Sequence, residues 1–209
     1  MDTTIDTACT AESRVTRSLL GYGVIAGPVY VTVSVAQGLT KEGFDFGRHA
    51  WSMLANGPYG WIQSANLLLT GLMAAAFAVG LARGGAGRGA TVLVGLFAAG
   101  MAGAGLFPAD PGFGFPAGTP DGPGAPTLNG ALHLALSGAG LLCLAGAAAF
   151  PLARRFAPVA SRVAGGALAV GFCCVAAGAG AVWANLAFTA AVVGIMGWMS
   201  ALALHEYRR

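Results

Sequence analysis

The chain has 209 residues, of which 56% are hydrophobic and only 9% charged, with a mean hydropathy of +0.70. A water-soluble domain needs roughly a quarter of its residues charged to cover its surface, so this composition excludes an ordinary soluble domain and makes lipid the main solvent. The formal net charge of +3 comes without any basic–aromatic stripe, which excludes a nucleic-acid partner.

Residues 1–13, "MDTTIDTACTAES", are polar and acidic where a signal peptide would be basic, and no A-x-A-like site follows. The segment 1–17 is therefore read as a tail ahead of an uncleaved first span. Six apolar blocks follow, each of about the 20 residues that cross a hydrocarbon core at the helical rise. They are Ser18–Leu39, Trp61–Ala82, Gly89–Phe107, Leu128–Phe150, Val163–Ala181 and Val182–Leu204. No charged residue separates the last two, and "GAGAVWAN" (178–185) marks the turn between them. The expected fold is all-α: a polytopic transmembrane six-helix bundle over 18–204, with two extracytoplasmic loops and a short tail at 205–209. Glycine, at 34 residues, is abundant because small residues let membrane helices approach closely. "GVIAG" at 23–27 has the G-x-x-x-G spacing for pairing within the fold or in a homo- or hetero-oligomer.

Nine of the eleven basic residues flank the same side of these spans, leaving Lys41 and Arg48 opposite. The positive-inside bias then places both termini in the cytoplasm and the loops 40–60 and 108–127 outside. Cys9 falls in the cytoplasmic tail, and Cys143, Cys173 and Cys174 fall within spans at no metal-ligand spacing, so they read as packing residues. No metal or other cofactor is expected; haem between His49 and His133 has no supporting motif.

Polar side chains in the spans recur at helical spacing near the outer ends. Tyr30, Ser34 and Gln37 form one stripe, Gln63, Asn66 and Thr70 a second, Asn129, His133 and Ser137 a third, and Asn185 and Thr189 a fourth. Stripes at one depth predict an outward-opening cavity over an apolar floor, since exposing them to lipid is costly. The competing reading is hydrogen-bond glue between helices. In the first loop, a short interfacial helix ended by "NGP" (56–58) would put Asp45 one turn from Arg48 and His49, where its carboxylate would orient the imidazole. Trp61 would anchor the headgroup level. In the second loop, Phe107, Phe113 and Phe115 would press a proline-rich roof onto the bundle, with Asp110 facing the cavity or capping a turn.

"GLTKEGFDFGRHAWSMLANGPYGWIQSAN", "FPADPGFGFPAGTP" and "NGALH" resemble the bacterial family called domain of unknown function 998. The resemblance covers nearly the whole chain and implies a six-span protein of the bacterial inner membrane, with no established activity. It carries over Asp45, Arg48, His49, Trp61, Gln63, Asn66, Asp110 and His133 as motif positions. Members often have histidine where this chain has Asn129, which removes one ligand from any mechanism needing two histidines there.

Two functional readings follow. In the first, a binding module holds a lipid-like, isoprenoid or small amphiphilic ligand through Arg48, Trp61, Gln63, Asn66, Asp110 and Asn129. In the second, a membrane-embedded acid–base enzyme, an isomerase, cyclase or hydrolase, uses Asp45, His49 and His133 as its catalytic groups on an isoprenoid or lipid substrate. Transport is weaker, since the cytoplasmic halves of the spans lack polar lining. The topology is testable with single cysteines at Thr119 and Gly87 in an otherwise cysteine-free chain. In intact cells an impermeant thiol reagent should label 119 and spare 87; the opposite pattern inverts the orientation.

Overall fold

A computed structural model describes residues 11–178 and 180–209, so the expectation for Cys9 lies outside the described residues. Six long helices follow in order: α1 (Ala11–Thr40), α2 (Gly60–Arg83), α3 (Arg88–Leu106), α4 (Leu128–Ala149), α5 (Pro158–Ala177) and α6 (Val182–Tyr207). Each is long and apolar enough to cross a membrane, giving a multi-pass architecture. No strand forms among the described residues. The two doubtful C-terminal spans are separate helices, and Pro158 in the first turn of α5 occupies a position where the missing N–H costs nothing. α1 begins well before Ser18, so Arg14 and Arg17 sit on the helix itself.

Each helix packs on its neighbours in sequence, and α6 closes back on α1, making a ring. Glycines set the spacing of that ring. A methyl group on Gly71 would lie 2.7 Å from Ala98 O, and one on Gly100 would lie 2.5 Å from Leu136 O and 2.8 Å from the Gly140 Cα. On α1, Gly23 abuts the Phe77 ring and Gly27 abuts the Met196 carbonyl, so the G-x-x-x-G pair is used inside the fold. Between chemically similar lipid and side chains, close backbone contact and dispersion replace the hydrophobic drive that packs helices in water.

The two ends of the ring differ. At the end holding both the start of α1 and the end of α6, a 3-10 turn (Leu152–Arg154) leads to Arg155. That guanidinium grips Glu206 of α6 with two bonds of 2.9 Å and donates to the carbonyls of Gly85 (3.0 Å) and Gly84 (3.3 Å) in the α2–α3 turn. The hydrogen bonds to Glu206 hold the Arg155 pKa above its ordinary value. One side chain thus ties three elements, and Phe77, Phe97, Leu144, Ile195, Met199 and Leu202 fill the interior nearby with no exposure.

The opposite end carries the loops 41–59 and 107–127. The expected interfacial helix from Asp45 is corrected: residues 41–49 form turns, and a 3-10 turn spans Trp51–Ala55. Gly43, at φ +77°, and Gly47 break the segment, which favours turns over a continuous helix.

Gly100→Ala should lower the thermal stability of the purified protein, by an overpacking cost of about 1–3 kcal/mol. Gly95→Ala, whose new methyl meets nothing within 4 Å, should be neutral or stabilising through helix propensity. Equal melting points for the two variants would show that glycine contact does not set the α3–α4 spacing.

Candidate functional site

A cavity of about 390 Å³ lies inside the ring toward the loop end, lined by residues from all six helices and both loops. Tyr30, Leu67, Met101, His133, Phe172 and Asn185 represent the six helices, and Arg48 and Asp110 the loops. Its floor is apolar, formed by Leu141, Val192 and Met196. Leu134 (57% exposed) and Ala176 line it while also reaching the outer surface, so the cavity opens sideways between the loop ends of α4 and α5.

The roof is the second loop, and it is tied down at several points. Gly112 and Phe115 exchange two backbone bonds of 3.0 Å, and the Phe113 and Gly114 N–H groups donate to Gly122 O and Pro120 O at 2.8 Å. The Phe115–Pro116 bond is cis. Phe115 is fully buried between Phe44 and the His49 ring, with Lys41 lying over its face. Lys41 Nζ donates to the carbonyls of Leu54 (2.6 Å) and Asn56, ending the 3-10 turn, and burial pulls its pKa below the usual lysine value. Asn56 Nδ2 in turn donates to Ala109 O at 3.0 Å. Phe113 sits at φ +57°, a left-handed conformation that costs a side-chain-bearing residue roughly 1–2 kcal/mol. Its carbonyl accepts a bond from His49.

His49 is the latch between the loops. Nδ1 accepts from the Asp45 backbone N–H at 2.9 Å, so the proton is on Nε2, which donates to Phe113 O at 3.0 Å. The expected carboxylate–imidazole contact is therefore corrected. The Asp45 carboxylate instead accepts from Gly47 N at 2.7 Å, because the turn brings the backbone amide, and not the side chain, under the ring. His49 is buried and does not line the cavity.

His133, one turn and a half into α4, does line it. Its Nδ1 lies 2.8 Å from Phe107 O and 3.3 Å from Ala104 O, the free carbonyls at the end of α3. Two acceptors at one nitrogen make it the donor. Nε2 is then an unprotonated acceptor, it has no partner among the described residues, and it is not sealed from the open volume. Asn185 is set in the same manner from α6. Both hydrogens of its Nδ2 go to backbone carbonyls, Phe46 O at 2.9 Å and His49 O at 3.3 Å, leaving Oδ1 toward the cavity.

Of the catalytic and ligand-binding candidates read from the sequence, Arg48, Asp110 and His133 meet at the cavity, joined by Tyr30, Ser137, Asn185 and Thr189 from the polar stripes. Arg48 is exposed at the rim and makes no ion pair among the described residues. Asp110 both lines the rim and caps: its carboxylate accepts from Thr127 N (3.0 Å) and Thr127 Oγ1 (2.5 Å), while Thr127 caps α4 through Gly130 N. Gly130 leaves the space that this carboxylate occupies. Gln63 and Asn66 lie elsewhere, so the expectation that their stripe shares one cavity with that of His133 is corrected. Gln63 pairs with Ser34, and Asn66 Nδ2 donates to Tyr30 O, Ser34 Oγ and Gln63 Oε1, gluing α1 to α2. Asp45, Trp61 (69% exposed) and Asn129 lie on the outer surface and do not line it. Trp51, expected at the headgroup level, and Ser52 line the cavity without having been marked as site residues, because the 3-10 turn that carries them inward has no periodic signature.

A family model described as a protein of unknown function (DUF998) matches residues 24–205, and the chain belongs to that family. No curated protein and no solved structure matches.

His49→Ala removes both latch bonds and should raise amide hydrogen exchange at Asp45 and across 112–116 by about tenfold, the worth of one to two hydrogen bonds. Unchanged protection there would show that the latch does not hold the roof.

Proposed function

We propose that this member of the DUF998 family binds a single-chain, lipid-like amphiphile in the roofed cavity, polar end toward the loops and chain on the apolar floor. One observation carries the reading: a roofed space lined by every helix, with its charged groups at the loop end and an apolar floor. Its volume of about 390 Å³ is within the usual range for small-molecule sites. A space of that size suits one chain of modest length. From His133 to Leu141 the wall of α4 runs for about 12 Å at the helical rise, a depth that agrees with that length. The side opening between α4 and α5 gives a ligand dissolved in the bilayer a path that avoids water.

The acid–base enzyme reading is favoured by one feature, the open Nε2 of His133. It has less support as a three-group mechanism, since both ring nitrogens of His49 are engaged and Asp45 lies outside the cavity.

The binding reading is tested with a dodecyl chain bearing a diazirine at its tail, supplied both as the alcohol and as the carboxylate. After irradiation of the purified protein, at least one of the two should label the floor positions Leu141, Val192 or Met196. Val192→Trp, which fills the cavity, should cut that labelling about tenfold while thermal stability is retained. Labelling confined to lipid-facing positions such as Leu142 and Leu186, and insensitive to Val192→Trp, would overturn the reading.

A further inference from the structure

We infer that the cavity selects its ligand by a neutral hydrogen-bond donor, so that it takes a long-chain or isoprenoid alcohol in preference to the matching acid or amine. This rests on the reading of the cavity as a single-chain amphiphile site and adds the chemistry of the ligand's polar end. Two buried side chains carry it. His133 is 6% exposed and Asn185 2% exposed; both line the cavity, from the helices on either side of α5, each within the first two turns of its helix.

Both side chains are polarised by the backbone behind them. Phe107 O and Ala104 O take the only proton of the His133 ring, and Phe46 O and His49 O take both hydrogens of the Asn185 amide. Neither residue can turn over without burying two carbonyls unpaired, so Nε2 and Oδ1 are fixed as acceptors. Neither has a partner among the described residues, and neither is shut off from the open volume. A ligand carrying a donor completes them; a carboxylate, with acceptors alone, would face two lone pairs in a space of low dielectric. A hydroxyl bonded to one of the two can accept from Thr189, whose side chain also lines the cavity and makes no hydrogen bond among the described residues.

Charge at the rim narrows the choice further. The free guanidinium of Arg48 disfavours an ammonium group, and the one nearby carboxylate, Asp110, is engaged with Thr127. Asp110 keeps its negative charge there, so the case against an ammonium rests on Arg48 and on the cost of burying a cation. Of the three polar ends compared, the alcohol carries a donor and no charge.

The test is competition on the ligand's side, so the fold is untouched. The purified full chain is labelled by the diazirine dodecyl probe, using whichever head labels the floor. Unlabelled dodecanol, dodecyl methyl ether, dodecanoate and dodecylammonium are then compared as competitors at neutral pH. Dodecanol should compete about fivefold or more better than each of the other three, since the ether keeps the chain and oxygen but has no donor. If any of the three competes to within less than fivefold of dodecanol, or better than it, the inference fails while the binding reading stands. If neither probe head labels the floor, the binding reading itself has failed.

Discussion

Carbonyl groups left over at helix ends and in loops govern the loop end of this protein. Where the packed loops and helix ends shut these groups off from water, side chains must satisfy them. Gln37 Nε2 donates to Leu54 O and Tyr59 O, Lys41 to Leu54 O and Asn56 O, Asn56 to Ala109 O, and His49 to Phe113 O. His133 closes the end of α3, and Asn185 serves the first loop from α6. Six polar side chains thus hold two loops that have no secondary structure beyond one short 3-10 turn. The same rule acts at the other end, where Arg155 takes the carbonyls of the α2–α3 turn while gripping Glu206.

The chemistry of the cavity is a by-product of this arrangement. A side chain with its donors turned backward to the main chain shows its acceptors forward. The ring supplies the space because its neighbours in sequence are held at glycine contact around the perimeter, with few partners across the middle at the loop end. Further down, phenylalanine, leucine and methionine fill the centre. An open upper half and a filled lower half follow from which residue sizes point inward at each depth.

The helices were legible in the sequence because block length, charge flanks and the absence of strand alternation agree. All six are present, and the faint boundary between α5 and α6 is real. The polar stripes were legible as inward-facing, but not as to their use. Gln63 and Asn185 give the same hydropathy signal, yet one spends its amide on Ser34 and the other on loop carbonyls beside a cavity. The proximity of positions 45 and 49 was readable from spacing; the bonding atom was not, because the segment is a turn whose backbone amide points at the ring. Arg155 and Glu206 are 51 residues apart, and nothing local in either segment announces their pairing.

The contact between α1 and α6 has a consequence in time. α1 and α6 are neighbours, so the wall between them is missing until the chain has been made through α6. Until α6 arrives, Phe46 O and His49 O lack Asn185, the Gly27 surface lacks Met196, and Arg155 lacks Glu206. The nascent five-helix intermediate is therefore an open crescent with polar backbone bared at one tip and an unpaired cation at the other. α6 acts as a keystone, since one helix closes the wall against α1 and pairs groups at both ends of the ring.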